Sequence, residues 1–287
     1  MIYLLLSILA STAIFVIFKL FDYFKINTLQ AIVINYITAC ISGALSYEAS
    51  INTTEIINSK WFLGAIALGF LFISVFNLMA LTAQRNGLSV ASVAGKMSVI
   101  IPVIFGIYVY NETVGFQKVF GIILALIAVY LTTVKSKSSF NFRKGMLFPL
   151  LLFIGSGIID TAIKYIETTY IAANGIPIFS ATIFACAAII GILILCIKAV
   201  LGQFKFDIKS VIGGTILGVV NYYSIYFLLK ALQFEGLESS TLFTVNNVAI
   251  VMVTTLIGLV MFKEHISKKN WLGITLAIVS IFLVTLA

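Results

Sequence analysis

Two stretches of 38 residues decide the fold: 98–135, SVIIPVIFGIYVYNETVGFQKVFGIILALIAVYLTTVK, and 250–287, IVMVTTLIGLVMFKEHISKKNWLGITLAIVSIFLVTLA. They align without a gap at an offset of 152 residues. Apolar residues match by chance in such sequences, whereas glycines and acids at one offset do not, so the sequence predicts an internal repeat. The matching pairs are Gly106 with Gly258, Glu112 with Glu264, Gly121 with Gly273, Ile122 with Ile274, Leu124 with Leu276 and Ala125 with Ala277.

The composition of the whole chain indicates that the repeat is embedded in a membrane. Of 287 residues, 61% are hydrophobic and only 10% are Asp, Glu, Lys or Arg. A soluble domain carries about 25% charged residues, so this chain could not cover its surface in water, and a soluble enzyme is excluded. The net charge of +8 comes from basic residues scattered through short connections. This distribution is typical of an orientation signal and predicts no nucleic-acid partner.

Ten apolar runs are long enough to cross a bilayer, which requires about 20 residues in a helix. The first run begins at residue 2 with no basic region before it, which favours a retained helix over a cleaved signal peptide. The sequence therefore predicts an all-α integral membrane protein of ten transmembrane helices. The predicted spans are 2–19, 27–47, 61–83, 87–110, 115–134, 145–166, 175–197, 210–230, 239–262 and 270–287.

The basic residues predict the orientation of these spans. Thirteen Lys and Arg residues fall in connections on one side, four fall on the other, and Lys96 lies within a span. Because cytoplasmic loops carry the excess of Lys and Arg, the first side is predicted to be cytoplasmic. We expect an integral, multi-pass protein of the cytoplasmic (inner) membrane, with both termini outside.

The two halves are predicted to be inverted relative to each other. Each half holds five spans, an odd number, so the second half must enter the membrane in the opposite direction. The first and sixth spans also align, at an offset of 145, which places Lys19 on Lys164. Residues 1–137 form the first repeat, 138–144 a cytoplasmic linker, and 145–287 the second repeat. Inverted repeats around a central cavity are typical of secondary transporters, whose sites lie near the midplane.

Short motifs recur in both halves: Ala80-Leu81, Val90-Ala91, Pro102, Gly106 and Asn111-Glu112 in the first half, and Ala231-Leu232, Gly236, Gly258, Lys263-Glu264 and Gly273 in the second. These motifs resemble the EamA-type repeat of the drug/metabolite transporter superfamily. Thr254 stands where the second half would repeat Pro102. The resemblance covers essentially the whole chain and implies a carrier of small metabolites, such as amino acids, that often works in export.

Two charges inside spans are candidates for a binding or coupling role. Lys96 lies too deep in the fourth span to reach water easily, and it shares a helical face with Ser89 and Ser92. It is either an electrostatic contact for a carboxylate-bearing substrate or a structural lysine held by carbonyls or an acid. Asp160, in the sixth span, could pair with Lys96, act as a proton-coupling group, or pair with Lys164 one turn away.

Amides and a phenol inside other spans are further candidates for substrate contacts. An unpaired amide in lipid is costly, so these side chains should face the interior, either toward a substrate or in hydrogen bonds between helices. Glu112 and Glu264, at repeat-related span exits, are predicted to be structural or gating residues. The substrate-contact candidates are Asn246 and Asn247 in the ninth span and, with a weaker signal, Asn77, Asn221 and Tyr222.

No motif for catalysis, cofactor binding or metal binding occurs in the sequence. The three cysteines have no C-x-x-C spacing, the single histidine has no ligand partners in sequence, and no phosphate loop or nucleophile elbow is present. We therefore expect neither catalytic residues, a metal site nor a cofactor, and the chain is not predicted to be an enzyme.

The sequence predicts a secondary transporter that moves a small amino-acid-like or other carboxylate-bearing metabolite by alternating access, in the direction of export. Its expected partners are that substrate, the lipid bilayer, and protons or a counter-substrate. A proton-coupled cation or drug exporter that uses Asp160 is the alternative. A non-transporting membrane subunit or a membrane enzyme is a weaker alternative from another class.

Overall fold

The computed structural model describes residues 2–46, 53–109, 115–133, 142–171, 175–232 and 239–285. Every regular element in these ranges is a helix. The helices are α1 (Ile2–Tyr23), α2 (Thr28–Leu45), α3 (Thr53–Ile57), α4 (Phe62–Arg85), α5 (Leu88–Met97), α6 (Ile100–Val109), α7 (Phe116–Thr133), α8 (Phe142–Tyr170), α9 (Ile176–Val200), α10 (Ile208–Leu232), α11 (Ser239–Val260) and α12 (Lys268–Thr285).

Seven helical stretches within the described residues are long and apolar enough to cross a membrane. Two shorter apolar helices, Val119–Thr132 and Val245–Val260, accompany them. The protein is thus an all-α, multi-pass membrane protein. The seven stretches are Ile2–Tyr23, Thr28–Leu45, Phe62–Arg85, Leu88–Gly106, Met146–Ile166, Ile178–Val200 and Ile208–Leu228.

Large apolar side chains are exposed along these helices. Leu63 is 77% exposed, Ile197 is 60% exposed and Phe70 is 58% exposed. In water each would carry a hydrophobic penalty, whereas lipid tails are as apolar as the side chains themselves. A bilayer around the helices therefore removes the penalty.

The fourth predicted span, 87–110, corresponds to the spanning stretch Leu88–Gly106, within which a two-residue turn separates α5 from α6. Ser98 and Val99 form a turn between α5 and α6. Pro102 is responsible, since it has no N–H to donate to the carbonyl of Ser98 and its ring would clash with that carbonyl. Thr254, at the equivalent position of α11, donates its hydroxyl to the Ile250 carbonyl at 2.6 Å, and α11 runs without a break.

The chain divides into two compact units. Unit 1 comprises Met1–Leu20, Leu78–Ile158 and Tyr223–Ala287, and unit 2 comprises Phe21–Asn77 and Ile159–Tyr222. The boundaries between the units fall inside α1, α4, α8 and α10. Each unit therefore combines segments from both predicted halves of the sequence.

Unit 1 is built on close packing of α7 against α12 and of α5 against α11. Gly273 allows the first pair to approach, since a Cβ there would lie 2.9 Å from the Thr132 backbone nitrogen and 3.0 Å from the Ala128 carbonyl oxygen. Polar bonds between the helices add to this contact. The Ser280 hydroxyl donates to the Gly121 carbonyl at 2.7 Å, and the Asn270 amide donates to the Thr132 carbonyl at 2.7 Å.

Unit 2 is built on the packing of α2 against α9. Tyr36 on α2 is completely buried, its ring lies against Phe76 and Phe184, and its hydroxyl donates to the Phe72 carbonyl at 2.8 Å. Gly218 of α10 lets α2 approach, because a Cβ there would lie 2.7 Å from the Asn35 carbonyl oxygen.

Candidate functional site

Helix α5 presents a polar face inside unit 1. Ser89 and Ser92 are buried and Lys96 is half-buried. The Ser92 hydroxyl donates to the Ser89 carbonyl at 3.1 Å, while the Ser89 hydroxyl oxygen has no hydrogen-bond partner. The face predicted from the spacing of three and four residues therefore exists, and it contains a polar atom that the protein does not satisfy.

Lys96 lies in the last turn of α5, directly before the break at Ser98 and Val99. It is about 12 Å along the helix from Leu88, at 1.5 Å per residue. The carbonyl end of a helix carries partial negative charge and stabilises a cation. The turn at Ser98 and Val99 therefore places Lys96 at the carbonyl end of α5.

Asn246 and Asn247 lie on α11, which packs against α5 in unit 1. Asn246 is only 2% exposed, and its side-chain oxygen has no hydrogen-bond partner. Asn247 is half-buried. An acceptor buried in this way costs free energy until a donor satisfies it, so Asn246 can receive a hydrogen bond from a ligand or a water.

A second polar cluster of unit 1 surrounds Glu264, in the connection between α11 and α12. Both carboxylate oxygens accept from the backbone N–H of Leu88, at 3.0 and 3.1 Å. The Lys19 ammonium, at the end of α1, lies 3.5 Å from the same carboxylate. Lys19 also donates to the carbonyls of Ala83 and Gln84, each at 3.2 Å. Glu264 therefore joins four segments of unit 1.

The remaining candidates within the described residues lie in unit 2, where the hydrogen bonds of the two asparagines run between or within helices. The Asn221 amide donates to the Asn35 side-chain oxygen at 3.3 Å, and both residues are buried. The Asn77 amide donates to the Ile73 carbonyl one turn back, at 2.7 Å. Tyr222 is half-buried, and Asp160 is exposed on α8.

The structure thus places the candidates in two groups, with Glu112 outside the described residues. Unit 1 holds three predicted substrate contacts together with Glu264, and unit 2 holds three predicted substrate contacts together with Asp160. The described residues contain no group of three or more His, Cys, Asp or Glu side chains that could hold a metal ion. The unit 1 group is Lys96, Asn246, Asn247 and Glu264, and the unit 2 group is Asn77, Asp160, Asn221 and Tyr222.

One relative resembles the chain over nearly its whole length. Over 291 aligned positions the chain is 32% identical to a protein of Haemophilus influenzae that is described only as uncharacterized, covering 97% of this chain and 96% of that protein. The chain belongs to the family of this protein. A crystal structure of a further protein, 13% identical, covers 98% of this chain and 97% of its own with a TM-score of 0.55, which shows a shared fold. No family model matches the sequence.

Two features of this family member were not predicted from its sequence. Thr12, in the middle of α1, is 2% exposed and its hydroxyl oxygen has no hydrogen-bond partner. A lone threonine in an apolar run gives only a weak signal, since its hydroxyl commonly bonds to its own helix. The bond from Leu88 to Glu264 joins residues 176 positions apart, so no local pattern could predict it.

Proposed function

We propose that the protein is a secondary transporter of the EamA type, built from two inverted five-helix repeats in the cytoplasmic membrane. It moves a small carboxylate-bearing metabolite, amino-acid-like in character, by alternating access and in the direction of export. It is a carrier and not an enzyme. The polar face of α5, with Lys96 beside the helix break, is the observation that carries this proposal.

The contacts between α7 and α12 support the inverted repeat. Gly121 and Gly273 are equivalent at the offset of 152 residues, and so are Ala128 and Ser280. Ser280 contacts the Gly121 carbonyl, and Gly273 lies against the Ala128 carbonyl. The second contact is the repeat-related copy of the first. Such exchange of partners is expected around a local two-fold axis between antiparallel helices.

Other helices that pack against each other are also counterparts in the repeat. The fourth predicted span packs against the ninth through α5 and α11, and the second packs against the seventh through α2 and α9. In the repeat alignment these are counterparts of each other. Each compact unit therefore contains matching elements of both predicted halves, which supports an inverted-repeat transporter.

The break between α5 and α6 supports a binding site on this element. Transporters with inverted repeats form their sites from discontinuous helices, whose exposed ends provide partial charges within the membrane. Lys96 would bind the substrate carboxylate, and the unsatisfied oxygen of Asn246 would accept from an N–H or O–H group of the same substrate. Together these two groups favour an amino-acid-like molecule.

The test is a thermal-shift screen of the purified full-length protein against carboxylate-bearing metabolites, followed by counterflow in proteoliposomes with each hit. We expect a metabolite that binds to raise the melting temperature of the wild type. This increase should be nearly lost in Lys96→Met. Losing a charge-assisted bond of about 1.5–3 kcal/mol corresponds to an affinity loss of about tenfold or more.

Lys209→Met is the matched control, because Lys209 is exposed in the first turn of α10. It should keep both the shift and the flux. Unchanged transport in Lys96→Met would contradict the binding role. If pH-dependent transport were instead lost in Asp160→Asn while Lys96→Met was benign, the protein would be a proton-coupled cation exporter.

A further inference from the structure

Helix α5, which carries Lys96, is held at its beginning by a residue from a distant part of the chain. Gly87, the residue before the helix, has a φ of +106° and provides no side-chain cap. The Leu88 N–H, an unsatisfied donor of the first turn, donates to Glu264 instead. Glu264 therefore replaces the usual capping residue and adds a negative charge at the positive end of the helix dipole.

Lys19 connects this cap to two further helices. Its ammonium lies beside the Glu264 carboxylate and donates to the last carbonyls of α4, which carry partial negative charge. The Gln84 amide donates back to the Phe18 carbonyl of α1 at 3.0 Å. The Lys19 and Glu264 side chains are only 19% and 14% exposed, so their attraction is screened less than that of a surface pair.

Two glycines form the space that the Glu264 carboxylate occupies. A Cβ at Gly87 would lie 2.8 Å from its Oε2 atom, and a Cβ at Gly258 would lie 2.7 Å from the same atom. Any side chain at position 258 would thus push the carboxylate away from Leu88. The carboxylate is the end of a flexible side chain and can leave without moving the backbone.

We propose that Glu264 and Lys19 are positioning residues that hold the start of α5 and thereby close this end of unit 1 to water. Release of the carboxylate frees the first turn of α5 and opens a path toward its polar face. This inference rests on the proposed transport function, in which α5 carries the substrate contact. The charge distribution predicts that the closed end is the cytoplasmic one.

The rate at which a maleimide labels a cysteine at position 89 measures this opening. Ser89 follows Leu88 directly and is 5% exposed, so Ser89→Cys is protected while the network is intact. The reporter is introduced into a full-length protein in which Cys40, Cys186 and Cys196 are replaced by serine, and it is labelled in detergent. We expect Glu264→Gln and Lys19→Met each to raise the labelling rate about tenfold, which corresponds to loss of one charge-assisted hydrogen bond.

Gly258→Ala tests the same step without changing a charge. The added methyl group displaces the carboxylate, and alanine favours the helix, so the labelling rate should rise while the fold is retained. Gly43→Ala is its matched control, because a Cβ there meets only ordinary contacts at 3.6 Å and beyond. Lys19→Arg, which keeps the charge, and Asp22→Asn, which removes an exposed acid, should leave the rate unchanged.

A second reporter, Ser280→Cys, separates opening from general loosening. Ser280 is completely buried between α7 and α12, and its labelling should stay slow in every variant. The proposal is overturned if position 89 stays protected in all three altered proteins, or if position 280 is labelled faster in parallel. Labelling requires no substrate, so its result is independent of whether the transport assays succeed.

Discussion

Asn35 and Asn221 form a buried pair of side-chain amides. Replacing one or both of them with an apolar residue tests the role of the pair. The bond from Asn221 satisfies the Asn35 oxygen, while the Asn35 amide nitrogen has no partner. Bonds of this kind between membrane helices contribute about 0.6–2 kcal/mol. The sequence predicts that Asn221 either contacts a substrate or bonds to another helix, and the geometry gives the second role a specific partner, Asn35.

We expect Asn221→Leu to lower the melting temperature, because it leaves the Asn35 oxygen buried without its donor. The double variant Asn35→Leu with Asn221→Leu should be more stable than Asn221→Leu alone, since replacing both partners removes the unsatisfied groups. Thermal unfolding of the two single variants and the double variant measures the coupling. Additive losses of stability, together with a lost substrate shift in Asn221→Leu, would assign Asn221 to the substrate.

The helices themselves could be predicted from the sequence to a large extent, because a spanning helix is encoded in a long apolar run that needs no tertiary information. The first predicted span, 2–19, corresponds to α1, and 239–262 corresponds to α11. The break at Ser98 was missed because hydropathy alone does not register a missing N–H group. Pro102 is the residue that indicates the break, because its missing N–H removes one backbone hydrogen bond.

The candidate site could be predicted only in part, and the reason is the distance in sequence between its components. Lys96, Ser89 and Ser92 share one helix, so their common face follows from helical periodicity. No helical periodicity predicts the partners of Glu264, because Leu88 and Lys19 come from other segments that only the folded chain brings together. Even the unsatisfied oxygens of Thr12 and Asn246 are properties of packing and not of residue type.

Pro102→Ala tests whether the break matters for binding. Alanine restores the N–H that can donate to the Ser98 carbonyl and removes the ring clash, so α5 and α6 should join into one helix. We expect the melting temperature without ligand to stay the same or rise. The substrate concentration needed for a given shift in melting temperature should increase about tenfold, because Lys96 loses the helix end beside it.

Pro149→Ala is the control for this experiment, since Pro149 lies inside α8, which is continuous. It should leave the substrate-induced shift unchanged. The break would have no role in binding if Pro102→Ala and Pro149→Ala bound the substrate equally well.

At the scale of the whole molecule, the proposed inverted repeat and the charge distribution make one joint prediction about orientation. If each half has five spans, the total is even and both termini lie on the same side, and the basic connections predict that this side is outside. A cysteine added after Ala287 in the cysteine-free protein should react with an impermeant maleimide in intact cells. A cysteine in the predicted linker, 138–144, should react only after permeabilisation.

The two positions together distinguish the possible errors. If the terminal cysteine were protected and the linker cysteine reactive, the number of spans would stand but the orientation would be reversed. If a cysteine placed before Ile2 and one after Ala287 reacted on opposite sides, the number of spans would be odd. Two inverted five-helix repeats could not then account for the chain, and neither could a transport cycle in which the halves exchange roles.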